Sequence, residues 1–191
     1  MSSGTFASSG EELSLTRIWE WYEETEQAIN LYQQEVINRL ISGQRVSETF
    51  SGMIRKEVKQ YFSDHKEELE HIVSLDIIAS TEASLRLDYL RRALRGSIKK
   101  NKIDKKFQTL YHQKGTRVSL RDEILETWKE VHPNCSEAIG DFRGALNVRD
   151  WLAHGRYWTP HFGRKYSATL VFNISKNLFD IFPYDFSWAI G

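Results

Sequence analysis

Leu15, Ile18, Tyr22, Ile29, Tyr32, Val36 and Leu40 recur every three or four positions, which predicts an amphipathic helix of about seven turns closing near Ser42-Gly43. A second helical region opens at Val46-Ser47-Glu48, with Phe50, Met53, Ile54, Val58, Tyr61 and Phe62 as its apolar face. Asp64 is a favoured N-cap, so a break is expected at Ser63-Asp64. From Leu69 to Leu90 apolar residues occupy most sides of the next helix, which marks it as the central one. Gly96 to Gly115 reads as a loop with a short helix. Ser119-Leu120-Arg121-Asp122 resembles a capping box before Leu120, Ile124, Leu125, Trp128 and Val131, a helix that Pro133 closes. Asn134-Cys135-Ser136-Glu137 opens the next with a similar cap, and Ile139, Phe142, Leu146 and Ala153 carry it to a stop at Gly155 and Pro160. Tyr166 to Phe182 is read as a helix, with a strand over 167–174 as the alternative, disfavoured because a lone strand has no partner. Phe186 and Trp188 predict a packed C-terminus.

The expected fold is therefore all-α, with residues 1–10, which are rich in Ser and Gly, as a flexible N-terminus and 11–191 as a single domain. Three prolines and eleven glycines in 191 residues agree with a helical chain. A lone cysteine, Cys135, excludes an intramolecular disulfide and fits a reducing, cytoplasmic setting. Neither a signal-peptide pattern nor an apolar run of about 18 residues is present, so no membrane partner is expected.

Formal net charge is zero, but the charges separate along the chain. Glu20, Glu23, Glu24 and Glu26 dominate the first helix, whereas Arg91 to Arg117 holds Lys99, Lys100, Lys105 and Lys106 among ten cations against Asp104 alone. Such a run is either a phosphate-contacting surface, with Phe107 and Tyr111 available to stack on bases, or a solvated loop. Phosphate-loop, dinucleotide-binding and serine-elbow motifs do not occur, which removes the usual support for nucleotide hydrolases, dehydrogenases and esterases. His65 and His71 diverge by about 240° around a helix, so no metal site is expected there, and His112, His132 and His161 read as loop histidines at the surface.

Chemistry concentrates in Asn147-Val148-Arg149-Asp150-Trp151-Leu152-Ala153-His154-Gly155-Arg156-Tyr157-Trp158, at a helix end. Asp150 and His154 share a face, so that Asp150 can orient the imidazole, while Arg149 and His154 diverge by about 140° on a straight helix and converge only through fraying at Gly155 or a two-fold partner. The plain alternative is a surface ion pair of Arg149 with Asp150 and a His154 that complements the helix dipole. Upstream, Glu82 interrupts the apolar stripe Leu75, Ile78, Leu85 and Tyr89, with Arg86 four residues on. Those two form either an internal ion pair that fixes register or a support that aims Arg149 or His154.

Arg-x4-His with a polar residue directly after the arginine, closing a helix of an all-helical domain, resembles the HEPN superfamily, specifically its prokaryotic ribonucleases and toxins; Ser80 to Asp88 is a weaker echo of an acidic and basic pair on an inner helix of such toxins. The resemblance implies a HEPN-like helical bundle with additional N-terminal and C-terminal helices, and a homodimer whose cleft lies between two motif helices. It also implies an endoribonuclease without cofactor, in the setting of toxin-antitoxin or antiphage defence systems, where an antitoxin or defence-system protein is a further partner. On that reading Arg149, His154 and Asp150 are catalytic, Glu82, Arg86, Asn147 and Tyr157 support them, and Arg156, Lys99, Lys100, Lys105 and Lys106 bind RNA. One branch carries a modifiable tyrosine two residues after the histidine; here that position is Arg156, and Tyr157 follows it.

The residue types suit metal-independent RNA cleavage by the 2′-hydroxyl, which leaves a 2′,3′-cyclic phosphate. Histidine moves protons near neutrality, and the arginine fork stays charged against the phosphorane. The competing expectation is a catalytically silent HEPN-like domain that binds RNA or protein.

Overall fold

The computed structural model describes residues 13–95, 101–184 and 186–191; the Ser/Gly-rich residues 1–10 and the candidate phosphate ligands Lys99 and Lys100 lie outside them. The described residues form seven α-helices and no strand: α1 (Leu15–Ile41), α2 (Arg55–Ala93), α3 (Lys102–Lys114), α4 (Leu125–Val131), α5 (Ser136–Ala153), α6 (Ala168–Ile181) and α7 (Ser187–Ile190). The expected all-α class is thus the class observed. No helix among the described residues is long and apolar enough to cross a membrane.

At 39 residues, α2 extends for about 58 Å and is the axis on which α1, α3, α5 and α6 pack. Ser80 Oγ donates to the Leu13 carbonyl at 2.6 Å and Lys66 Nζ to Gln33 Oε1 at 3.2 Å, so α1 runs antiparallel along it. The main core joins Val73, Ile77, Ile78 and Leu85 of α2 to Phe107, Trp128, Phe142, Leu146, Val171 and Leu178. Burying each such side chain contributes about 1.5–3 kcal/mol. A separate small core of Val36, Phe50, Val58 and Phe62 sits toward the far end of the α1–α2 hairpin, with Tyr32 edge-on to both phenylalanines.

The expected break at Ser63-Asp64 is absent, because Asp64 turns outward to accept from Gln60 Nε2 at 2.7 Å instead of capping a new helix. The start near Val46 is also corrected. Gly52 adopts φ 80°, which ends helical propagation after a 3-10 turn at Glu48–Phe50, and Glu57 accepts from Ile54 N at 2.8 Å to open α2. The segment read as loop with a short helix contains all of α3, capped by Asn101, whose side chain accepts from Asp104 N at 2.9 Å.

The Ser119 box forms, but Glu123, not Asp122, closes it by accepting from Ser119 N at 2.8 Å, because Leu120–Ile124 is a π-turn that carries an extra residue. The cap expected from Asn134 to Glu137 is replaced by a 3-10 turn at Pro133–Cys135 with no side-chain cap on α5. Residues 168–174 are helical, capped by Ser167, whose hydroxyl accepts from Leu170 N at 3.3 Å, so the strand alternative falls. Phe186 is buried and stacks on Phe179 at 5.0 Å, which packs the C-terminus as expected. Of the histidines read as surface loop residues, His112 lies in α3, while His132 does sit in the connection after α4 but is wedged between Trp128 and Tyr184, where burial pushes its pKa down.

On α2, burial raises the pKa of the Asp76 carboxyl, and no described residue pairs with it. A raised carboxyl favours the fold at acid pH and loses that contribution as pH rises through the folded-state value. Asp76→Asn is therefore expected to raise the melting temperature at pH 7, with the advantage vanishing as pH falls below ~3.9, the ordinary aspartate value. Melts of both proteins across that range check this; an equal gain at every pH would mean that charge is not the cause.

Candidate functional site

Arg149 lies on the last turns of α5, which stops where the sequence placed the stop. His154 is the C-cap, and Gly155 and Arg156 follow with φ 78° and 57°. Gly155 takes the left-handed conformation freely, whereas a side chain there costs on the order of 1–2 kcal/mol. Arg156 is held in it by two parallel bonds to Glu68 at 2.7 and 3.0 Å, with His71 Nδ1 at 3.1 Å. The same pairing draws the Glu68 carboxyl below its usual pKa. Trp151 Nε1 donates to the Trp158 carbonyl at 2.9 Å, which folds the following loop back over the helix end.

From this helix end a chain of alternating charges crosses to α2. Arg149 Nη2 donates to Glu82 Oε2 at 2.7 Å, and Arg149 Nη1 lies 3.1 Å from Asp150 Oδ1. Glu82 Oε1 takes Arg86 Nε at 2.9 Å, so the acid that interrupts the apolar stripe joins both arginines. The side chain of Glu82 is 18 % exposed, which strengthens these bonds relative to open surface pairs. Asp150 Oδ2 accepts from Arg121 Nη2 at 2.8 Å, and Arg121 Nη1 donates to Asn147 Oδ1 at 2.8 Å.

Of the residues singled out in the sequence, the structure brings together Arg149, Asp150, Asn147, Glu82 and Arg86. His154 is next along the same helix, exposed, and its imidazole has no partner among the described residues. The expectation that Asp150 orients His154 is corrected: the backbone N–H of His154 bonds the Asp150 carbonyl at 3.1 Å, but the carboxylate is taken by two guanidinium groups, whose permanent charge and planar forks hold it. Tyr157 does not join the cluster; it is 82 % exposed, and its ring meets that of Trp158 edge-on at 4.7 Å. Arg156 is likewise committed to Glu68, which displaces its expected role as a free phosphate ligand.

The basic segment differs from the one-signed stripe expected. Lys106 pairs with Glu130, Lys114 with Glu123, and Arg92 with Asp88 and Asp104. Lys105 and Lys106 line a groove in which Asp122, Glu123, Glu126 and Glu130 outnumber them, so the local field opposes a phosphate.

Arg121 was not foreseen. Its neighbours in sequence announced only a helix start, and its partners lie 26 and 29 positions ahead. Among the described residues no group of three or more His, Cys, Asp or Glu has the arrangement of a metal site. Compared with known proteins, the chain matches no family model, no curated protein and no solved structure.

Proposed function

We propose that this chain is a metal-independent endoribonuclease of the HEPN kind. Arg149 binds and neutralises the scissile phosphate, His154 moves a proton, and Asp150 and Glu82 aim Arg149. The observation that carries this reading is the helix end itself: an exposed, unpartnered His154 one turn from Asp150, on the same helix end as an Arg149 whose fork is fixed by two carboxylates. Three guanidinium groups share two carboxylates in the chain Arg86, Glu82, Arg149, Asp150 and Arg121, leaving one positive charge for a phosphodiester. A second proton-handling group is needed on the far side of the phosphate, and a two-fold homodimer with a composite cleft supplies it as the partner's copy of the motif. RNA is the substrate. A role as a cytoplasmic toxin or antiphage effector, with an antitoxin or defence-system partner, follows from the HEPN resemblance alone.

A second reading also has an observation behind it. Arg149 is already matched by Glu82 and Asp150, and Asp150 is turned from His154, as suits a silent domain that binds RNA or protein without cutting.

Single-stranded RNA is expected to be cut in EDTA with 2′,3′-cyclic phosphate ends, and a strand carrying a single 2′-deoxy residue at the cut site is expected to resist, since the nucleophile is missing. Gel analysis of end-labelled strands reads both. Loss of cutting in EDTA, or equal cutting of the deoxy strand, contradicts the chemistry; intact RNA throughout favours the silent domain.

A further inference from the structure

We propose that Arg121 is a positioning residue: it sets the orientation of Arg149 by holding Asp150 and Asn147 from outside α5. This inference rests on the reading of Arg149 as the phosphate ligand, and it adds a residue and a structural device to that site.

Hydrogen bonds, the Arg149–Asp150 ion pair and the backbone from Val118 to Arg121 together close into a ring. Arg149 holds Glu82 with one nitrogen and Asp150 with the other. Glu82 is anchored by Arg86, and Arg86 Nη1 donates onward to the Val118 carbonyl at 3.1 Å. Asp150 is anchored by Arg121 at 2.8 Å. Val118 and Arg121 belong to one short stretch of chain, so the segment that leads into α4 fastens both outer arginines at once. Arg121 is fastened in turn by its backbone, because its carbonyl accepts from Arg143 Nη2 at 2.6 Å.

Arg143, Asn147, Asp150 and His154 fall at the spacing of a single stripe on α5. Arg121 touches the first three, its carbonyl meeting Arg143 and its guanidinium meeting Asn147 and Asp150. The fourth is the proposed proton carrier. Arg121 reaches this stripe from the π-turn Leu120–Ile124, and one extra residue in a turn rotates what precedes it by roughly 100° relative to an α-helical start. The rare turn accounts for the direction in which Arg121 leaves the helix.

An isolated pair at this exposure contributes little to stability, so stability gives no sufficient reason for the arrangement. Geometry gives one. A guanidinium spans two acceptors in a fixed plane, and it fixes the Asp150 rotamer, leaving the other oxygen of Asp150 aimed at Arg149. A lysine offers a point charge and does not span both acceptors.

The test follows the Nε–H group of Arg149, which is buried without a partner, by its solvent exchange in 15N-labelled protein, with Arg149→Lys to assign the signal. Steady-state cleavage of a defined single-stranded RNA is measured in parallel. Arg121→Ala is expected to speed exchange by at least ~10-fold and to lower kcat by about 10- to 100-fold with little change in KM, as misplacement of a fixed group does. Arg121→Lys is expected to stay close to the alanine variant. Asn147→Ala, which removes an exposed neutral anchor and leaves every charge in place, guards against misfolding of the first variant; it is expected to move both readouts in the same direction by less. Unchanged Arg149 exchange in Arg121→Ala and Asn147→Ala overturns the proposal whatever the cleavage rate, and so does faster exchange with wild-type kcat. Faster exchange in a protein whose wild type cuts no RNA supports the positioning role and removes the ribonuclease reading instead.

Discussion

His154→Ala is expected to slow RNA cleavage by about 10² to 10⁴, the contribution of a positioned acid or base. It is also expected to leave the fold intact, within about 0.5 kcal/mol, because the imidazole is exposed and the backbone bond from His154 N to the Asp150 carbonyl does not depend on the side chain. Arg149→Ala is expected to remove about 10² to 10³ through lost charge on the phosphate. The two variants separate on stability. Arg149 is one of two arginines on Glu82, whose side chain is largely buried, so its removal leaves that carboxylate half-satisfied and costs about 1 kcal/mol. Initial rates on single-stranded RNA, paired with denaturant melts, test both halves. Wild-type rates from His154→Ala would sink the proposed proton transfer. Loss of RNA binding in Arg149→Ala, from a wild type that binds but never cuts, would assign the same surface to a silent domain.

What the sequence discloses about this site follows from the range of the interactions. Glu82 is conspicuous because a charge stands in an apolar stripe of helical period, and its nearest partner, Arg86, is four residues away on the same face. The stop after Ala153 is legible for a similar reason: Gly155 accepts a left-handed conformation that few residues adopt freely. Local spacing misleads where a distant partner binds more strongly. Asp150 is spaced to meet His154, yet Arg121 arrives from a turn 29 positions earlier and takes the carboxylate. The basic run fails in the same way, since Glu130 and Glu123, which pair with Lys106 and Lys114, lie beyond it in sequence and pack against it only after α3 and α4 come together. At Asp64 the error is one of competing local bonds, an acid able to cap a helix being equally able to bond Gln60 on an unbroken one.

Arg92→Met is expected to destabilise the fold by about 3–5 kcal/mol at pH 7, the cost of leaving buried carboxylates without their counter-charge. Arg92 Nε bonds both oxygens of Asp88 at 2.7 and 2.9 Å, and Arg92 Nη1 lies 3.2 Å from Asp104, which is 1 % exposed. The guanidinium also lies over the Tyr184 ring at 4.0 Å and the Trp128 ring at 5.2 Å, so it joins the end of α2 to the first turn of α3 and to the aromatic core. Burial already pushes the Asp88 carboxyl up, with the bond from Arg92 opposing that rise. Removing Arg92 takes the opposing influence away and raises it further. A carboxyl raised in the folded state destabilises above its folded pKa and ceases to do so below the unfolded value, so the deficit of Arg92→Met is expected to shrink as pH falls toward ~3.9. Denaturant melts at pH 7 and at acid pH measure this. A triple variant, Arg92→Met with Asp88→Leu and Asp104→Leu, is expected to recover most of the loss, since apolar groups of similar size in place of a whole buried ion cluster are often neutral or stabilising. If the triple variant were as weak as the single one, lost packing around Tyr184 and Trp128, rather than unpaired charge, would be the cause.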